Sequence, residues 1–140
     1  NLSRANLNEA YLRKSNLNQA SLRGVTLSQA NLSRAILNGV DLTDAILTNA
    51  ILIGVDLSSA NLTGADLTGA NLDLADLSNA FLFEADLTDA KLCNANLRGA
   101  SIGQSEHYGP SILVRTNLSG ADLTMPACPG PSWPAPPERA

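Results

Sequence analysis

The stretch ANLTGADLTGANLDLADLSNA, residues 60 to 80, sets Leu62, Leu67, Leu72 and Leu77 five residues apart, with a small residue two places before each. A stride of five turns about 140° around an α-helix, so these leucines would point all round the cylinder and form no stripe. In a straight strand the same stride reverses the face at every step. Within one unit, however, Ala65 and Leu67 share a face while Asp66 points away, as in a short extended segment. If Thr68 and Gly69 then turn a corner, the next Ala-Leu pair faces inward again. The chain must coil.

The pattern runs far beyond this stretch. Every fifth residue from Leu2 to Leu97 is Leu, twenty in succession, and Ile102 continues the series. The positions two places before, from Ala5 to Ser105, hold sixteen Ala, three Val and two Ser. Between them stand Asn, Asp, Ser, Thr, Gly and scattered charges, residues whose side chains bond nearby backbone and suit tight corners. In a β-solenoid each coil pairs its backbone with neighbours about 4.8 Å away, and Leu stacks on Leu. Each buried Leu contributes about 1.5 to 3 kcal/mol, which offsets the ordering entropy of a chain with only 4% aromatic residues. The Gly24-Val25, Gly39-Val40 and Gly54-Val55 pairs recur at fifteen residues and favour a three-sided coil, because that would stack Val on Val.

The unit [Ala/Val/Ser]-[Asn/Asp]-Leu-x-x resembles the pentapeptide-repeat family over residues 1 to about 125. That resemblance implies an all-β fold, a right-handed quadrilateral parallel β-helix with four pentapeptides per coil and about six coils. It also implies a cyanobacterial or chloroplast-like setting, with the protein in the cytoplasm, the periplasm or the thylakoid lumen.

The register breaks once. "SEHYGP", residues 105 to 110, reads as a six-residue unit, a one-residue insertion at a corner that displaces Glu106, His107 and Tyr108 outward as a candidate loop. "SILVR", "TNLSG" and "ADLTM" then resume the repeat with Leu113, Leu118 and Leu123. Residues 126–140 hold six Pro and no Leu, so they form a tail or a cap, with Trp133 as a plug over the last coil. The chain begins without Met and in mid-pattern, which suggests a fragment or a processed form; either something is missing upstream or that end meets another molecule, which leaves end-to-end association open.

Chemistry is sparse. One His excludes a multi-His metal site, and His107 has neither an evident nucleophile nor a pocket. No phosphate loop, paired-Cys ligand set or nucleophile elbow is present, so no cofactor, metal or catalytic residue is expected. A disulfide between Cys93 and Cys128 would staple the tail to the coil; two independent thiols are the alternative. The sequons at Asn1, Asn31, Asn61 and Asn117 follow from the repeat itself. A column of Thr48, Thr68 and Thr88 raises ice binding, but the adjoining Asp66 and Asp86 do not match it.

Net charge is −4, which opposes direct nucleic-acid binding, and no apolar run approaches the length of a membrane-inserting helix. Residues 1 to 40 carry Arg4, Arg13, Lys14, Arg23 and Arg34 against Glu9; residues 41 to 90 carry nine acids and no base. On a twenty-residue coil, Asp44, Asp66, Glu84, Asp86 and Asp89 gather on one acidic edge, while Arg13, Lys14 and Arg34 gather on another face. The family's gyrase regulators present an acidic rod that imitates duplex DNA, so the resemblance implies that role as an alternative. On the same coil, Ile51, Ile53 and Leu74 adjoin on one face, and Phe81 and Phe83 flank Leu82 on another. Exposed apolar clusters mark protein contacts. The expected function is therefore a non-enzymatic rigid scaffold whose partner is another protein.

Overall fold

The computed structural model describes residues 1–103 and 106–124. From Asn6–Thr26 to Phe81–Ser101, every backbone bridge is parallel and joins residues twenty apart. One turn of the coil is therefore four pentapeptides. We name the sides after their inward leucines in the first coil: face A (Leu2), face B (Leu7), face C (Leu12) and face D (Leu17). The three Gly-Val pairs do not stack: Val25 falls on face B, Val40 on face A and Val55 on face D. The fifteen-residue recurrence is thus no sign of three sides.

Each side is one short extended segment and one turn. Leu2 N donates to Ser21 O of the coil above (2.8 Å), Arg4 N to Arg23 O (2.9 Å), and Thr26 N reaches back to Ala5 O (3.0 Å). Within the side, Ala5 N donates to Leu2 O (3.0 Å), closing a four-residue turn. Its second central residue has positive φ, as a type II turn requires. Among the described residues all positive-φ residues sit at this position; fifteen are not glycine and seven are. The repeat tolerates ordinary side chains there because the ladder above and below holds the conformation, at about 1 to 2 kcal/mol each.

Inside, the leucines from Leu22 to Leu92 and the Ala and Val residues of the series from Val25 to Ala95 are wholly buried. Thr43 alone among the described polar residues joins them. Among the described residues the first and sixth coils have a neighbour on one side only, so Leu2, Leu113 and Leu123 remain about 40% exposed. No helix among the described residues is long and apolar enough to cross a membrane.

The expectation of a one-residue insertion is corrected. Such an insertion would set Ile112 opposite Lys91; instead Ile112 pairs with Asp86, Asn117 with Lys91 and Asp122 with Asn96, all twenty-six residues apart. Six residues leave the coil, not one. "SEHYGP" offers no inward aliphatic residue, and its Gly109 folds back onto face A, where it donates to Glu84 Oε1 (2.9 Å) and accepts from Glu84 N (3.2 Å). The wall then resumes on face B, with Ser111 N bonded to Ile102 O (3.1 Å).

Candidate functional site: the four outer faces

A hydrogen-bond accounting explains the Asn or Asp before each Leu. The backbone ladder uses the amides of four of the five residues in a side; the first turn residue is left over. The Asn or Asp two places earlier takes it. Thr43 N donates to Asp41 Oδ1 (3.0 Å), Thr68 N to Asp66 Oδ1 (2.9 Å) and Ser78 N to Asp76 Oδ1 (2.9 Å), a bond repeated around the coil. Where that residue is different, a neighbouring coil can substitute: Asn18 Oδ1 serves Asn38 N (3.1 Å), and Asp73 Oδ1 serves Cys93 N (2.9 Å).

Six places show neither solution. Among the described residues, the amides of Arg13, Arg23, Thr48, Ile53, Phe83 and Val114 have no side-chain acceptor, and at Ile51–Ile53, Phe81–Phe83 and Ile112–Val114 both the capping position and the turn residue are apolar. The column of Phe81 otherwise holds Asn1, Ser21, Asp41, Asn61 and Ser101. Phe81 is 47% exposed and stacks on Phe83, ring centroids 6.3 Å apart; Tyr108 from the loop lies on Phe83 at 5.5 Å. Sequence reasoning missed this three-ring shelf, because only the full six-residue excursion brings Tyr108 back over face A. Glu106 and His107 are exposed beside it. Ile51, Ile53 and Leu74 fall together on face C, where Leu74 is 63% exposed at φ +61°.

The five acids do not share one edge. Asp44 and Glu84 stand at the corner leading from face A to face B, Asp66 and Asp86 follow just beyond it, and Asp89 occupies the far corner of face B. Several are internally engaged. Arg23 bonds Asp44 (3.3 Å), and Arg115 makes a two-pronged pair with Asp89 that holds that carboxyl below its usual range. For Asp66, partial burial pushes the carboxyl upward, but bonds from Thr68 and Thr48 outweigh it and the net direction is down. The Thr43 hydroxyl likewise holds Asp41 below the ordinary value. Charge divides by face: face C carries Arg13, Lys14, Arg34 and Lys91 against Asp73, whereas face B carries Glu9, Asp66, Asp86 and Asp89 against Arg115.

Among the described residues no cluster of His, Cys, Asp and Glu could hold a metal ion. Burial raises the Cys93 thiol, and the neighbouring Asp73 adds to it; the expected bond to Cys128, and the plug at Trp133, lie outside the described residues.

Comparison with known proteins agrees with this geometry. Pentapeptide repeats match in eight copies over residues 1–39, 27–64 and 60–99. No protein of curated function matches. Among solved structures, HetL from the cyanobacterium Nostoc sp. strain PCC 7120, a pentapeptide repeat protein involved in heterocyst differentiation regulation, is 38% identical with a TM-score of 0.81. That match covers 87% of this chain and 54% of HetL, so the chain spans about half of HetL's length. A pentapeptide repeat protein of the Arabidopsis thaliana thylakoid lumen is 37% identical, with 76% of this chain and 71% of that one covered and a TM-score of 0.67. With the twenty-residue coil, the leucine interior and these matches in hand, the chain belongs to the pentapeptide-repeat family.

Proposed function

We propose that this chain is a non-enzymatic, rigid scaffold, a right-handed four-sided coil that binds another protein through side chains held on its outer faces. The observation that carries the reading is the replacement of turn-capping positions by the exposed apolar residues Phe81 and Ile51, each followed at the turn by a half-buried apolar one, Phe83 or Ile53. Each replacement forgoes a hydrogen bond that the repeat makes elsewhere and presents apolar surface to water, a double cost that folding alone does not repay. A coiled wall fixes its columns about 4.8 Å apart, so a partner meets a surface already ordered.

The test is site-specific photocrosslinking in an extract of the source cells, with the crosslinker at Leu74, at Phe81 and, as a control on face D, at Ser78. Discrete adducts from the first two positions alone are expected. Equal labelling at all three, or none, overturns the reading.

A second reading, regulation of DNA gyrase by an acidic duplex-like surface, has in its favour the acids of face B. Against it stand the ion pairs of Asp44 and Asp89, which neutralise the spacing that a phosphate ladder would need. A supercoiling assay separates the two: inhibition that disappears with Asp66→Lys and Asp86→Lys favours gyrase, and unchanged supercoiling removes it.

A further inference from the structure

Face C differs from the other three in sign and in texture. From the first coil to the fourth it carries Tyr11, 93% exposed, then Arg13, Lys14 and Arg34, and then Ile51, Ile53 and Leu74. The ion pairs among the described residues are Arg23–Asp44 and Arg115–Asp89, so none of these three cations is neutralised by a carboxylate of the wall. Asp73, the one acid on the face, has its Oδ1 committed to the Cys93 amide. The protein as a whole is acidic, with a net charge of −4, so a cationic face is not a sample of its average surface.

Leu74 gives the second, independent indication. Among the described residues it is the one apolar side chain at a left-handed turn position, where Asn, Gln, Ser, Gly and charged residues otherwise stand. Leucine gains nothing there: its backbone is strained and its side chain is mostly in water. Just below it in the same column Gly54 adds no side chain, and the Arg34 side chain lies over it, with Cγ 3.7 Å from where a β-carbon would stand. On the opposite corner Asn31 leaves a shallow notch between Tyr11 and Ile51, with Glu9 and Gln29 at its edge. A basic lower end, an apolar upper end and a notch at the side match an extended chain with carboxylates at one end and aliphatic side chains at the other.

We propose that face C, from the first coil to the fourth, is the docking surface for an acidic, apolar segment of a partner protein. The partner's carboxylates pair with Arg13, Lys14 and Arg34, and its aliphatic side chains lie on Ile51, Ile53 and Leu74. Three coil steps span about 14 Å, the length of four or five extended residues, so the segment is short. This assignment rests on the scaffold reading and names the chemistry of its partner.

The test uses the full chain and two fluorescein-labelled peptides, Glu-Glu-Glu-Leu-Leu and Lys-Lys-Lys-Leu-Leu, with vesicles of mixed phosphatidylcholine and phosphatidylserine as a third probe. Anisotropy should show preference for the acidic peptide, weakening as salt rises. Arg13→Glu combined with Arg34→Glu should cost about tenfold in affinity. Leu74→Asn should cost about threefold or more while the unfolding midpoint rises, which excludes misfolding as the cause of lost binding. Equal affinity for the two peptides, or indifference to these substitutions, overturns the assignment. So does binding to vesicles that exceeds binding to the acidic peptide, which would make face C a membrane surface. If a crosslinker at Phe81 still captures a protein while the peptides show no preference, the scaffold reading stands and this one alone falls.

Discussion

Leu67 and Leu113 occupy the same column of face B, yet the first is wholly buried and the second is 39% exposed. The inward geometry is common to both, and what differs is company: Leu67 has Leu47 below and Leu87 above, whereas Leu113 has Leu87 alone among the described residues. In a coil whose contacts are with the neighbouring turns, stability is a nearest-neighbour property, and a residue's worth depends on its height in the stack. The end coils, the first and the sixth, are thus the places where local opening costs least among the described residues. The sharpest way to break this comparison is truncation in both places. Leu67→Ala should destabilise by about 2 to 5 kcal/mol in chemical denaturation, because its neighbours are locked and cannot close the cavity. Leu113→Ala should cost about 1 kcal/mol or less, since much of that side chain already meets water. Equal losses would mean that the wall unfolds as one body with no gradient.

The turn corners allow the same contrast at smaller amplitude. A β-carbon at Gly69, where φ is +68°, would collide with Asn49 Oδ1 in the coil below, whereas at Gly39 it would meet nothing within 4 Å. Both substitutions force alanine into the left-handed region. Gly69→Ala should therefore cost about 1 to 2 kcal/mol plus the displacement of Asn49, and Gly39→Ala only the backbone part. A thermal melt that ranks them the other way would show that the wall breathes enough to absorb the collision.

How much of this was legible without coordinates follows from what repetition encodes. The interior was readable because a stride of five admits one solution in which Leu and Ala both face inward, and twenty recurrences leave no freedom in register. The number of sides was not readable: the Gly-Val pairs at fifteen residues point to three, and only backbone pairing decides for four. The loop was mis-sized for a related reason. Ile102 and Leu113 are both good inward residues, and nothing in "SEHYGP" announces that Gly109 will take the ladder place on Glu84 and leave six residues before it outside the coil. The acidic edge was legible for Asp44, Asp66, Glu84 and Asp86. It failed for Asp89, whose place at the next corner depends on side position and not on coil height.

Acid sharpens the comparison between caps in the interior of the wall and caps at its end. Asp41 in the third coil and Asp122 in the sixth both have carboxyls held below the ordinary 3.8, the first chiefly by the Thr43 hydroxyl and the second chiefly by the Thr124 amide. A carboxyl depressed by folding adds stability above its unfolded value and loses it as pH falls through the folded one. The urea midpoint should therefore hold at neutral pH and fall below about 4. Asp41→Ala should remove about 0.5 to 1.5 kcal/mol at neutral pH, the worth of its bonds to Thr43, and should flatten part of the acid limb. Asp122→Ala should flatten little of the global transition, because its coil opens before the rest.

The smallest effect has the opposite sign and bears on function. Leu74 and Asn94 are successive members of one corner column, both left-handed, at φ +61° and +56°. Asparagine tolerates that conformation and leucine does not, so Leu74→Asn should stabilise the fold by about 0.5 to 1 kcal/mol. A wall built for stability alone would have made that exchange, as it has at Asn49, Asn79 and Asn94. If the substitution raises the melting midpoint and weakens binding at face C, leucine is retained for contact at the expense of the turn. If it lowers the midpoint instead, Leu74 must be packing against the wall in solution, and both the corner comparison and the docking surface built on it fail together.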